Sequence, residues 1–114
     1  MKRILVVDDD PGARYALTRL LESVGFEVFS APDYLAALQE LDKGECRLLI
    51  TDVVMPKGVN GFALGRMAQM RQRNLKIIYV TGYDVPIDEA DGVVLRKPFS
   101  DRVLLDHVEA MLAA

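Results

Sequence analysis

From end to end, the chain alternates short, wholly apolar runs with longer stretches in which apolar residues recur every three or four positions. Arg3-Ile4-Leu5-Val6-Val7 is the first apolar run, rich in β-branched residues, and it reads as a buried strand. It stops at Asp8-Asp9-Asp10-Pro11, where Asp10 followed by proline makes a good helix start. Ala13, Ala16, Leu17, Leu20, Leu21 and Val24 then give the stripe of a helix with one buried face, ended by Gly25. Phe26-Glu27-Val28-Phe29-Ser30 is more polar, as an edge strand would be. Pro32-Asp33 opens a second helix with Tyr34, Ala37, Leu38 and Leu41 inward and Gly44 at its end. Leu48-Leu49-Ile50-Thr51 leads as a strand into Asp52, and a loop rich in proline and glycine follows to Gly61. A third helix is predicted over 61–72, carrying Leu64, Met67, Ala68 and Met70-Arg71. Residues 76–80 and 93–95 read as two more strands. Ser100 or Asp101 caps a last helix with Leu104, Leu105, Val108, Met111 and Leu112.

Strand alternating with helix implies an α/β fold of parallel strands joined by right-handed crossovers, with helices on both faces. One connection is poor. The segment Gly82-Tyr83-Asp84-Val85-Pro86-Ile87-Asp88-Glu89-Ala90-Asp91-Gly92 is too short and broken for a full helix, so the fourth helix is expected to be short or disordered. In a parallel sheet all carboxyl ends lie along one edge, where such proteins bind ligands. Asp8 and Asp9, Asp52, Thr81 and Lys97 each close or follow a strand, so one crevice receives acids, a hydroxyl and an ammonium.

The chemistry of that set is specific. Crowded carboxylates repel unless a cation sits among them, and oxygen ligands suit a hard divalent ion such as magnesium. A lysine and a threonine opposite would hold the oxygens of a tetrahedral anion. An aspartate between them can accept a phosphoryl group, a reaction that asks mainly for positioning and charge neutralisation. Singly, an aspartate at a strand end is more often a helix cap, and a lone threonine or lysine says little. The joint placement carries the argument.

Composition narrows the field. The 114 residues suit one domain over 1–114, and 51% hydrophobic content is ample for its core. A net charge of −3 with both signs dispersed gives no general attraction to nucleic acid or anionic lipid. No apolar stretch approaches the roughly 20 residues of a membrane span. Met1-Lys2-Arg3 precedes an apolar run, but that run ends in acids rather than a cleavage site. The single Cys46 cannot form an internal disulfide, in keeping with a reducing cytoplasm, and reads as structural. His107 lies on a polar helical flank. Met67, Met70 and Met111 read as packing residues, and Arg66, Arg71, Arg73 and Lys76 as a loose basic cluster.

Five ordered motifs, Val6-Val7-Asp8-Asp9-Asp10, Thr51-Asp52-Val53-Val54-Met55-Pro56, Asn60-Gly61-Phe62, Tyr79-Val80-Thr81-Gly82 and Lys97-Pro98-Phe99, resemble the receiver domain of two-component response regulators across the whole chain. The resemblance implies a five-stranded, doubly wound, flavodoxin-like sheet in the order 2-1-3-4-5. It implies Asp52 as phospho-acceptor, and Asp8, Asp9, Asp52 and the Val54 carbonyl as magnesium ligands. Thr81 becomes the switch hydroxyl and Lys97 the phosphate-contacting lysine, and Pro98 follows a cis peptide. The donor would be a sensor histidine kinase or histidine phosphotransfer protein. Such a domain assists its own phosphorylation and dephosphorylation without being an enzyme in the ordinary sense.

The chain departs from the family's pattern in three places. Val94 stands where the family carries an aromatic switch residue, the stretch after Thr81 is short, and the loop at 56–61 holds one extra residue. Ile78-Tyr79-Val80-Thr81-Gly82-Tyr83 is similar to a receiver subfamily with a reduced fourth helix. Switching is therefore expected through Thr81, Tyr83 and the 82–92 segment, with Val94 too small for the aromatic's part. Two other readings stay open: an aspartate-nucleophile phosphatase of the haloacid dehalogenase type, which would want Asp-x-Asp on the first strand and a cap, and a phosphate-independent binding module. No output domain is expected past the last helix, so a stand-alone receiver and a piece of a larger regulator or hybrid kinase both fit.

Overall fold

The computed structural model describes residues 3–55, 59–86 and 92–113. Five strands, β1 (Arg3–Val7), β2 (Glu27–Ala31), β3 (Leu48–Asp52), β4 (Lys76–Thr81) and β5 (Val93–Arg96), alternate with four helices, α1 (Pro11–Ser23), α2 (Tyr34–Asp42), α3 (Gly61–Arg71) and α4 (Asp101–Ala113). All pairings are parallel and the sheet order is β2-β1-β3-β4-β5. The expected five-stranded α/β architecture is therefore the observed one.

Each central strand sends alternate residues to opposite faces, and each face has its own core. Leu5, Val7, Leu49, Ile77 and Tyr79 pack beneath α2 and α3 with Ala37, Leu38, Phe62, Leu64 and Ala68. Ile4, Val6, Ile50, Ile78 and Val80 face α1 and α4, meeting Leu21, Leu104, Val108 and Leu112. Burial on both sides is why β1, β3 and β4 read as continuous apolar runs. β2, at the sheet's edge, keeps Glu27 and Ser30 exposed, in line with its more polar sequence.

Side chains fix the helix starts. Asp10, Asp33 and Asn60 accept from the backbone N–H groups of Ala13, Ala36 and Ala63 at 3.0, 2.9 and 2.9 Å, and Ser100 Oγ accepts from Val103 at 3.1 Å. Gln72 ties α3 to the α2–β3 connection: its amide donates to the Leu41 and Gly44 carbonyls and its oxygen accepts from Cys46 N–H. α3 sits close to the sheet because residue 65 is glycine. A Cβ there would come within 2.2 Å of the Tyr79 hydroxyl.

Periodicity overreached in three places. Val24, expected on the α1 stripe, is 47% exposed, because it is the helix C-cap and has rotated out of register. Ala16 is exposed as well, on the rim rather than the floor of the α1 contact. Met70, expected to fill packing space, is 84% exposed, since the inward positions of α3 are Phe62, Leu64, Gly65 and Ala68. Residues 82–86 form no helix, and the remainder of the expected fourth helix, 87–91, lies outside the described residues.

Candidate functional site

The acid pair begins where β1 ends. Asp8 is 4% exposed, its Oδ1 accepting from Asp10 N–H at 2.9 Å, while its own N–H reaches the Ala31 carbonyl of β2. Arg14, on the second turn of α1, donates to the Asp8 carbonyl at 2.8 Å and so pins the turn from the far side. Asp9 points out and is exposed, and Asp10 is committed to capping α1. The run of three acids therefore divides into two that remain available and one cap.

Asp52 closes β3, between its neighbours β1 and β4. Its Oδ1 accepts from Val54 N–H at 3.2 Å and its Oδ2 faces Lys97 Nζ at 3.4 Å. The chain can leave Asp52 as it does only with glycine at 61: Gly61 N–H donates to the Val53 carbonyl at 2.7 Å, and a Cβ at 61 would lie 2.2 Å from the Asp52 carbonyl oxygen. In the sequence Gly61 falls within a motif without a role of its own at the site. The sequence carries no signal for Arg14, whose contact is made across a turn.

Thr81 ends β4 with 1% exposure, its hydroxyl accepting from Tyr83 N–H at 3.1 Å. Lys97 follows β5; its N–H donates to the Thr81 carbonyl at 2.7 Å, and a cis peptide joins it to Pro98. Its ammonium stands between two acids, 3.7 Å from Asp8 Oδ2 and 3.4 Å from Asp52 Oδ2. Val94, half-buried, pairs with Tyr79 in register and packs on the α2–α3 core, whereas Tyr83 is 64% exposed. The Asp84–Arg96 ion pair joins the stretch after β4 to the end of β5.

One oxygen from each of Asp8, Asp9 and Asp52 can be chosen so that all lie within 4.8 Å of one another. Burial pushes the Asp8 carboxyl up from its ordinary value; the Asp10 N–H and the Lys97 charge act against this, while Asp52 and Asp9 add to it. One ammonium against three carboxylates leaves an excess of negative charge on hard oxygen donors, a set that fits a divalent cation of the magnesium type. Cys46 takes no part, being buried beneath the opposite end of the sheet with its thiol pushed up by desolvation and bonded to the Leu48 carbonyl. His107 is half-buried on α4.

Residues 4–109 match the profile of the response regulator receiver domain. Along its full length the chain is 38% identical to the response regulator receiver protein CpdR of Brucella abortus (strain 2308), over 120 residues and 99% of that protein. It spans 51% or less of several longer relatives. Among solved structures, a CheY-like receiver domain protein of Methanospirillum hungatei JF-1 superposes with a TM-score of 0.91 at 28% identity, over 99% of this chain and 94% of that one. The response regulator TrrA of Thermotoga maritima, crystallised in complex with Mg2+-BeF, gives 0.84 at 33% identity, over 97% and 99% of the two chains.

Proposed function

This chain belongs to the response regulator receiver family, and on that premise we propose that Asp52 is the group that accepts the phosphoryl. The carrying observation is the placement of Lys97 Nζ between Asp52 and Asp8, with Asp9 beside them. An Asp52 oxygen attacks phosphorus, the bond from phosphorus to the donor's imidazole nitrogen breaks, and the imidazole keeps the electron pair and takes up a proton. The product is an acyl phosphate on Asp52. Lys97 neutralises a phosphoryl oxygen, and the Thr81 hydroxyl turns to donate to another. Asp8, Asp9, Asp52 and the Val54 carbonyl would hold magnesium, which when bound supplies charge neutralisation for the incoming phosphoryl oxygens. A relative crystallised with Mg2+-BeF supports that choice of ion.

Residues 1–114 act here as one receiver domain, a cytoplasmic signalling module rather than an enzyme with its own substrate. The donor is a sensor histidine kinase or a histidine phosphotransfer protein. An apolar groove of about 350 Å3 between α1 and α4, floored by Leu17, Leu20, Phe99 and Leu104, runs up to Asp8 and Lys97 and is suited to a helix bearing the phosphohistidine. Asp10 serves as a cap, which removes the Asp-x-Asp pair that a haloacid-dehalogenase-type hydrolase would need. Incubation with acetyl phosphate and magnesium is expected to label the protein, and Asp52→Asn to abolish the label, because asparagine keeps the shape but loses the nucleophilic charge. Full labelling of the asparagine variant would overturn the assignment.

The signal leaves through Thr81. Its hydroxyl is now tied to Tyr83 N–H, so a turn toward a phosphoryl group alters the first residues after β4, while Val94 is half-buried against the α2–α3 core. With beryllofluoride as phosphoryl mimic, amide exchange over 82–86 is expected to slow. Unchanged exchange there, alongside demonstrated binding of the mimic, would place the switch elsewhere.

A further inference from the structure

The opposite pole of the sheet holds a second set of charges that the phosphoryl chemistry does not use. Arg47 immediately precedes β3 and Lys76 opens β4, and the two are joined by a backbone bond from Lys76 N–H to the Arg47 carbonyl at 3.1 Å. Arg73 follows the end of α3 and lies over the same edge. Arg47 and Arg73 line both of two adjoining depressions of about 640 and 610 Å3, which also share Asn74 and Glu45 and so form one elongated trough, and Lys76 lines the larger of the two.

Charge is unbalanced in the trough. Arg71 is ion-paired with Asp42 at 3.3 Å, but among the described residues neither Arg47, Arg73 nor Lys76 has an ion-pair partner. Among the described residues, Glu45 is the one remaining acid in the lining, on a chain whose overall charge is −3. A second observation points to the same place. Met70, at 84% the most exposed of the large apolar side chains among the described residues, sits between Gln69 and Arg71, both of which line the trough, and one turn from the exposed Arg66. Methionine and arginine together on an open surface are characteristic of protein–protein contacts.

We propose that this pole is a docking surface for an extended acidic segment of a partner protein. Arg47, Arg73 and Lys76 meet its carboxylates, the Asn74 amide meets its backbone, and Met70 takes an apolar side chain. Nucleic acid fits less well, because the lining offers no aromatic ring for a base to stack on and places Glu45 where a phosphate would pass. Strands β3 and β4 separate the trough from Asp52 by roughly 15 Å at about 3.3 Å per residue. A partner can therefore be held there while the phosphoryl site stays open.

Fluorescence anisotropy with a labelled 12-residue peptide of glutamates carrying a leucine at every fourth position tests the proposal. Saturable binding is expected at low salt, weakening steeply as salt is raised. The triple variant R47Q/R73Q/K76Q should bind at least tenfold more weakly and Met70→Ser several-fold more weakly, while Asp52→Asn binds as the unmodified protein does. Unchanged melting and unchanged labelling by acetyl phosphate in the triple variant exclude misfolding as the cause of any loss. The proposal is overturned if the matching glutamine peptide binds equally well, if the triple variant retains full affinity, or if a 12-nucleotide oligouridine binds and the acidic peptide does not.

Discussion

Asp8 is the residue where burial and charge conflict most directly. It is nearly inaccessible, it lies among other carboxylates, and desolvation is the largest influence raising its pKa. A carboxyl whose folded-state pKa is raised stabilises the fold when protonated. That contribution is complete below the ordinary value of 3.8 and is lost as pH rises through the raised one. At pH 7, without divalent ions, the ionised group is therefore a net cost to stability. Asp8→Asn, which keeps an acceptor for Asp10 N–H, is expected to melt a few degrees higher under those conditions, each kcal/mol being worth about 4 °C at this chain length. The gain should shrink as pH falls toward the acid range. Melts in chelator at pH 7 in which the variant is the less stable protein would contradict this account.

At the level of elements, α3 packs closely on β4. Phe62 and Tyr79 meet edge to face with ring centroids 4.9 Å apart, and Gly65 lets the helix settle against the Tyr79 hydroxyl. A methyl group at 65 must displace either the helix or a fully buried ring. Gly65→Ala is expected to cost about 1–3 kcal/mol, the usual range for overpacking. Urea denaturation would measure it. The loss should be smaller in a Tyr79→Phe background, where the nearest contact is gone, and equal losses in both backgrounds would show that the hydroxyl is not the obstacle. No motif pointed to this contact: a glycine within a helical pattern reads as a weakness until the partner strand is seen to carry a tyrosine opposite it.

For the molecule as a whole, the sheet acts as a frame that brings acids from β1 and β3 to one edge without neutralising them fully. Any ion that binds the folded site and not the unfolded chain stabilises by mass action, about 2.7 kcal/mol at 100 times its dissociation constant. Thermal melts are therefore expected to shift upward with millimolar magnesium, and Asp9→Ala, which removes an exposed carboxylate of the cluster without touching the core, should abolish most of the shift. A melting temperature indifferent to magnesium would argue against the acid cluster as a metal site.

The linear pattern of the chain determined a great deal. Short apolar runs bounded by turn signals read as buried strands, and their endings named Asp8, Asp9, Asp52, Thr81 and Lys97. Cap chemistry at Asp10, Asp33, Asn60 and Ser100 set where the helices begin, because those interactions span only three residues. What the sequence did not determine are the relations between distant segments. Periodicity says that one helical face is buried but not how far its edges extend, so Val24, Ala16 and Met70 were assigned inward and lie outward. Only tertiary structure put Lys97 between two carboxylates, gave Arg14 and Gly61 their places at the site, and lined Arg47 up with Lys76 at the far pole. Each of these depends on strand order and register, which are fixed by the packing of both cores together and not by any local stretch of chain.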